Sequence, residues 1–209
     1  LELAGEVWQT GWWESYLSQS IWGSTIDLVW LESRSEEICT FSPLTVPGLL
    51  QTTAYMQELF RVANPENSKT ENERSVELRV KRQGILHKET PARLSTVIDE
   101  GVLRRVVGGA ATMRAQLTSL REAAERPNIE IRVLPFAAGA HASPDGAFTL
   151  LKMGAPFPAV AHIESPGGAI YLERDDVDRL AQMYDRLQER SLNPDDSVAF
   201  IAALEKELS

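Results

Sequence analysis

The sequence predicts an α+β fold in which helices pack on a central mixed sheet. Strand-length apolar segments recur near 37–41, 93–98, 129–134, 148–153, 159–164 and 169–172. Amphipathic helical stripes lie at both ends of the chain and between the early strands, and Pro- and Gly-bearing turns separate the late ones. The expected layout is a helical N-terminal segment, the sheet with its covering helices, and two C-terminal helices.

A chain of 209 residues can bury a real core and is most economically one domain with a helical appendage: a tryptophan-rich segment over 1–36 and an α+β domain over 37–209. With 43% hydrophobic and 24% charged residues it has the composition of an ordinary globular protein. No apolar run approaches the roughly 20 residues that cross a bilayer, and no secretory leader opens the sequence, so no membrane contact and a cytoplasmic location are expected. The net charge of -9 is uneven: residues 1–50 hold 1 basic and 7 acidic side chains, 51–127 hold 13 and 10, and 128–209 hold 7 and 13. Two acidic ends repel a phosphate backbone, so DNA, if bound at all, should be held by another domain.

All five tryptophans, Trp8, Trp12, Trp13, Trp22 and Trp30, fall in the first 30 residues. Trp12 and Tyr16 share a helical face, and a second helix near 26–32 has Ser24 and Thr25 as candidate caps. Such aromatic density fits either a ligand pocket or dimer surface, with Trp12, Trp13, Trp22 and Trp30 as binding candidates, or a lid on the domain's own core. The lone cysteine, Cys39, sits in a strand segment and reads as a small buried hydrophobe. Phe41-Ser42-Pro43 to Val46-Pro47-Gly48 is an extended connector, followed by a helix through Tyr55, Met56, Leu59 and Phe60 and a polar loop over Asn64–Ser68. Glu71 to His87 is the most basic helix, with Val76, Val80 and Leu86 inward and Arg74, Arg79, Lys81 and Arg82 in solvent.

After the strand at 93–98, Val102–Val107 leads to a Gly108-Gly109 break, and Met113, Leu117, Leu120 and Ala124 mark one face of a helix. Ile129, Ile131 and Val133 alternate as a half-buried strand that Pro135 ends, and Phe148–Met153 returns after the Ser143-Pro144-Asp145-Gly146 turn. Ser165-Pro166-Gly167-Gly168 joins the last two strands as a hairpin. The final helices carry the stripes Val177, Leu180, Tyr184, Leu187 and Val198, Ile201, Leu204, Leu208; Asn193 and Pro194 cap and start the last one.

Cys and His residues do not cluster at metal-ligand spacing, and phosphate-cradling glycine loops and nucleophile elbows are missing, so no metal and no cofactor are implied. His141 and Asp145 either form a functional pair or only hydrogen-bond their own loop. His162 and Glu164 alternate on one strand face and could meet His141, Asp145 and Tyr171 across the sheet, a cluster able to bind a ligand or perform acid–base chemistry.

The series Gly11-Trp12-Trp13, Phe41-Ser42-Pro43, Val46-Pro47-Gly48-Leu49-Leu50-Gln51-Thr52, Arg79…Arg82-Gln83, Ile98-Asp99-Glu100, Val133-Leu134-Pro135-Phe136…Gly139-Ala140-His141, Gly146…Phe148-Thr149-Leu150-Leu151 and Tyr171-Leu172-Glu173 closely resembles one family. It is the C-terminal domain of unknown function of actinobacterial helix-turn-helix regulators, which are antitoxin-like transcription factors. The resemblance implies a cytoplasmic homodimeric regulator whose N-terminal domain binds DNA and whose C-terminal domain senses a small molecule or meets a small partner protein. This sequence starts at a Leu, without a helix-turn-helix segment before the tryptophans, so contact with DNA is expected only through a domain outside it. The order of strands and His-bearing loop also loosely resembles phospholipase-D-like sensor folds, but Ser143 stands where that superfamily's catalytic motif needs lysine.

Two functions follow. One is an effector-sensing or partner-binding domain of a regulator. The other is an enzyme of specialised metabolism with an apolar, Trp-lined pocket and His141, His162, Asp145 and Glu164 as acid–base groups.

Overall fold

Alternating apolar residues in 35–42 and 93–99 have one partner on each side, and the sheet grows outward from them. The computed structural model describes residues 23–165 and 167–208. Helix α1 (Gly23–Arg34) runs directly into β1 (Ser35–Ser42). The connector then leads through a 3-10 turn at Gly48–Leu50 to α2 (Thr53–Ala63) and α3 (Lys69–Gln83). Strand β2 (Arg93–Asp99), the short α4 (Glu100–Arg104), α5 (Gly109–Ala124) and β3 (Ile129–Leu134) follow. The C-terminal half is β4 (Phe148–Met153), β5 (Val160–Ser165), β6 (Gly168–Leu172), α6 (Asp175–Arg190) and α7 (Pro194–Glu207).

The strand order is β3-β2-β1-β4-β5-β6. The β1-β2 and β2-β3 pairs are parallel and joined by helical crossovers, whereas β1-β4, β4-β5 and β5-β6 are antiparallel. The expected α+β class with helices on a mixed sheet is therefore what the chain adopts. All six expected strands are present, with ends within two residues of the expected ones.

Each sheet face has its own core. On one side Cys39, Phe41, Val97, Phe148 and Leu150 pack under α6 through Val177, Leu180, Tyr184 and Leu187, the stripe read from the sequence. On the other, Ile38, Leu94, Ile129, Ile131 and Leu151 meet Leu31 of α1, Tyr55 of α2, Met113, Leu117 and Leu120 of α5, and Ile201 and Leu204 of α7. Cys39 is buried, and burial pushes its thiol up to about 12, which keeps it an unreactive thiol.

Local chemistry explains the helix ends. The Asn193 side chain accepts from the Asp196 N–H (2.9 Å) with Pro194 in the first turn. Ser68 and Glu71 close a capping box at α3. Gly108 and Gly109 both have positive φ, 70° and 84°, which is why the chain can break there before α5.

Three local expectations are corrected. α1 already begins at Gly23, so Ser24 and Thr25 lie inside it. α3 stops at Gln83 and passes into a 3-10 turn at Gly84–Leu86. Val76 is buried as expected, and Leu78 rather than Val80 joins it; Val80 is 42% exposed. Trp8, Trp12, Trp13 and Trp22 lie outside the described residues.

Candidate functional site

The backbone register lines up side chains from every strand on the face opposite α6. Ile129, Leu94, Ile38, Leu151 and Val160 form one row, all buried. Two residues further along, the next row reads Ile131, Thr96, Thr40, Thr149, His162 and Tyr171. Strand geometry alone puts these on one face, because alternate residues share it. Five consecutive polar-bearing side chains thus cross the middle of a buried sheet surface.

The row is internally bonded at its centre: Thr149 Oγ1 donates to Thr40 Oγ1 (3.2 Å), and Thr40 Oγ1 donates to the Phe148 carbonyl (3.3 Å). At one end the Thr96 hydroxyl is buried with no partner among the described residues. At the other the His162 and Tyr171 rings lie 5.2 Å apart. His162 is 6% exposed, and its imidazole has no hydrogen-bond partner among the described residues. Burial pushes its pKa below the usual 6.5, against the pull of Glu164 and Glu32, so the ring is neutral at pH 7. Burial, reinforced by Asp27 and Glu164, raises the pKa of Tyr171 and keeps it a phenol.

A cavity of about 190 Å³ lies over this row, beside the junction of the parallel and antiparallel halves of the sheet. Thr40, Thr149 and His162 line its floor, with Glu164, an exposed residue, also at its edge. Its roof is Glu32 of α1, Arg79 and Arg82 of α3, and the connector from Thr45 to Gln51.

The connector is held by amide side chains. Gln51 Nε2 donates to the Val46 carbonyl (2.6 Å), and Gln83 Nε2 donates to the carbonyls of Gly48 (3.0 Å) and Gln51 (2.8 Å). Gln116 of α5, fully buried, donates to the Leu50 carbonyl (2.8 Å) and accepts from the Thr52 N–H (2.7 Å). The Val46 N–H reaches the Tyr55 hydroxyl (3.3 Å). An irregular segment can be buried only when its backbone groups find such partners.

The two arginines differ. Arg82 makes a two-pronged pair with Glu32, both contacts 2.8 Å, with side chains 9% and 6% exposed. Burial works against its charge, and the Glu32 carboxylate more than offsets this, so its pKa is raised. Arg79 Nη1 donates to Gln51 Oε1 (2.6 Å), and its guanidinium carbon lies 4.5 Å from the centre of the Phe60 ring. Among the described residues no carboxylate lies within ion-pair distance of it. Burial, helped by the neighbouring Arg82 charge, pushes its pKa down to about 10, so it stays a cation at neutral pH but a poorly solvated one.

Arg79 and Arg82 were expected in solvent, and both instead line the cavity. The missed signal is their spacing: Val76, Arg79 and Gln83 continue one helical stripe, so the inward face of α3 turns from apolar to polar halfway along. Glu32, Thr40, Thr149 and Gln116 were also not singled out. Single polar residues in a strand or helix do not announce which neighbours they will meet.

The expected polar cluster splits. His162, Glu164 and Tyr171 share one face, as their alternation implied. His141 does not join them: its ring packs 5.3 Å from that of Phe41, which belongs to the core under α6, and its Nδ1 accepts from the Ser143 N–H (3.2 Å). Asp145 is exposed in the turn, which Ser143 closes by donating to the Gly146 carbonyl (2.8 Å). The physical reason is the path from β3 to β4, which carries the His141 loop to the other side of the sheet. Trp30 does not line the cavity; it packs edge-on to Phe157 (6.1 Å) with Arg34 over its ring (4.6 Å). Trp12, Trp13 and Trp22 lie outside the described residues.

A larger cavity of about 440 Å³ lies under α6. Several of its polar groups bond one another: Lys152 pairs with Glu37 (3.0 Å), the Tyr184 hydroxyl donates to Ser95 (2.9 Å), and Gln188 donates to Ser95 (3.2 Å). The cavity over the threonine row is set apart by a buried guanidinium, Arg79, that has no ion pair among the described residues.

Among the described residues no helix is long and apolar enough to cross a membrane. No curated protein matches the chain. A family model described as a domain of unknown function, DUF5753, matches residues 25–203, and the chain belongs to that family.

Proposed function

We propose that this chain is the effector-sensing or partner-binding domain of an actinobacterial helix-turn-helix transcription regulator, acting in the cytoplasm as a homodimer and reaching DNA through an N-terminal domain. The observation that carries the reading is where the motif residues go. The segment from Val46 to Gln51, anchored in the core by Val46, Leu49 and Leu50, roofs one polar cavity together with Arg79 and Arg82, and Gln83 braces it.

The cavity's walls suggest how occupancy could reach DNA. Glu32 stands on α1, the described element nearest the N-terminus, and is tied across the cavity roof to Arg82 of α3. A ligand that fits one α1–α3 arrangement better shifts the population toward it, and about 1.4 kcal/mol of preference changes affinity tenfold. The enzyme reading has less support, since the fold separates His141 and Asp145 from His162 and Glu164.

Operator titrations of the full-length regulator, with and without metabolite extract and with and without a co-expressed small partner, test the proposal. It predicts a shift in operator affinity in at least one condition. Identical affinity in all of them would contradict it.

A further inference from the structure

The groups facing the cavity over the threonine row specify more than polarity. His162 is a buried, neutral imidazole with no hydrogen-bond partner among the described residues, and the hydroxyls of Thr40 and Thr149 border the same space. The two hydroxyls bond each other and the Phe148 carbonyl, so His162 is the polar group of this wall with no hydrogen bond among the described residues, and its ring faces the cavity where a ligand's polar group can meet it. The charge is equally specific. Glu32 pairs with Arg82, which leaves Arg79 as the roof cation without an ion pair among the described residues, while Glu164, exposed at the rim, attracts it at longer range.

The lining is balanced overall, two arginines against Glu32 and Glu164, and the local feature is the Arg79 guanidinium, which no carboxylate among the described residues touches. A phosphate ester brings about -1.5 to -2 at neutral pH, more than Arg79 can balance, and Glu32 and Glu164 would repel the excess. A carboxylate brings one charge in the planar geometry that a guanidinium edge accepts with two hydrogen bonds. Size narrows the choice further: the cavity holds about 190 Å³, and a cavity of about 150 Å³ is known to hold benzene.

We propose that this cavity binds a small organic monocarboxylate, about the size of one ring, with its carboxylate on Arg79 and an uncharged hydroxyl or keto substituent on His162 and Thr149. The proposal rests on the sensing reading and names the ligand class for the same cavity. Arg79 is set for the task by Gln51, which holds one of its nitrogens, and by the Phe60 ring beside its face.

Calorimetric titration of the 209-residue chain with benzoate, 2-hydroxybenzoate, benzamide and phenyl phosphate tests it. Benzoate should bind at least about tenfold more tightly than benzamide, and 2-hydroxybenzoate more tightly still. Arg79→Met should weaken the carboxylates by roughly 10- to 100-fold. Arg79→Lys, which keeps the charge without the planar fork, should weaken them less, and Thr149→Val should remove the advantage of the hydroxyl. Equal affinity for benzamide or phenyl phosphate, unchanged affinity in Arg79→Met, or no binding of either carboxylate would overturn the proposal. Those failures leave the operator titration, which needs no known ligand, to decide the sensing reading. Carboxylate binding in a regulator whose operator affinity never moves would keep the site and remove its sensing role.

Discussion

Ile129, Leu94, Ile38, Leu151 and Val160 cross the sheet as one row, and Thr96, Thr40, Thr149, His162 and Tyr171 cross it two residues further along each strand from β2 to β6. The rows share a face and a set of neighbouring helices; the first is wholly apolar and buried, with Ile38 and Leu94 reaching the cavity, and Thr40, Thr149 and His162 of the second face the cavity with a cation over it. The same division recurs on α3, where Arg82 is neutralised by Glu32 and Arg79, three residues earlier, has no such partner among the described residues. The apolar row and the Arg82–Glu32 pair hold the wall of the cavity in place, and in the proposed reading the polar row and Arg79 meet the ligand. That proposal places stability and recognition in adjacent rows of one sheet.

Substitutions can break this division, and the largest effect is expected at Arg82. Arg82→Met strands the Glu32 carboxylate in a site where its side chain is 6% exposed, and should cost about 3–5 kcal/mol in urea unfolding. The double variant Glu32→Leu, Arg82→Met should recover most of that loss, because a buried pair replaced by apolar groups is often neutral. Leu151→Ala, in the apolar row and fully buried, should cost about 2–5 kcal/mol through lost burial and the space it leaves. If Leu151→Ala were no more damaging than Thr149→Val, the contrast between the rows would be wrong.

A smaller effect is expected with pH. Burial keeps the folded-state pKa of His162 below the 6.5 of a free imidazole. The unfolded chain therefore takes up a proton that the folded chain refuses, and stability should fall as pH drops from about 6.5 toward the folded value. His87, whose pKa burial and Arg126 also lower, contributes in the same direction. His162→Gln should reduce the slope between pH 7 and 5 while leaving the His87 part. An unchanged slope would mean that His162 is solvated in the folded protein. The smallest effect is at Thr96, where Thr96→Val removes a buried hydroxyl without a partner among the described residues and should stabilise by about 1 kcal/mol by differential scanning calorimetry.

Much of this architecture was legible in the sequence, and the cavity was not. Period-2 alternation located the strands, and Asn193-Pro194 located the start of the last helix, because both signals are local. Thr40 and Thr149 are separated by 109 residues and meet only because β4 inserts beside β1, a pairing that no local pattern encodes. The charges of α3 misled for a related reason. A helix rich in both signs usually has a solvated face, and only the tertiary structure brings Glu32 of α1 over Arg82. His162 and Tyr171 could be paired from alternation because one hairpin joins their strands, whereas His141 depended on the path of the β3–β4 loop.

Urea unfolding of Arg79→Met beside Arg82→Met, with each variant also titrated with benzoate, tests the central claim most directly. The account predicts that Arg79→Met stays within about 1 kcal/mol of the parent, since the lost Gln51 bond is offset by relief of a poorly solvated charge, while its benzoate binding weakens roughly 10- to 100-fold. Arg82→Met should fall several times further. Equal destabilisation by the two substitutions, with benzoate binding intact in Arg79→Met, would make Arg79 a structural residue and contradict the account.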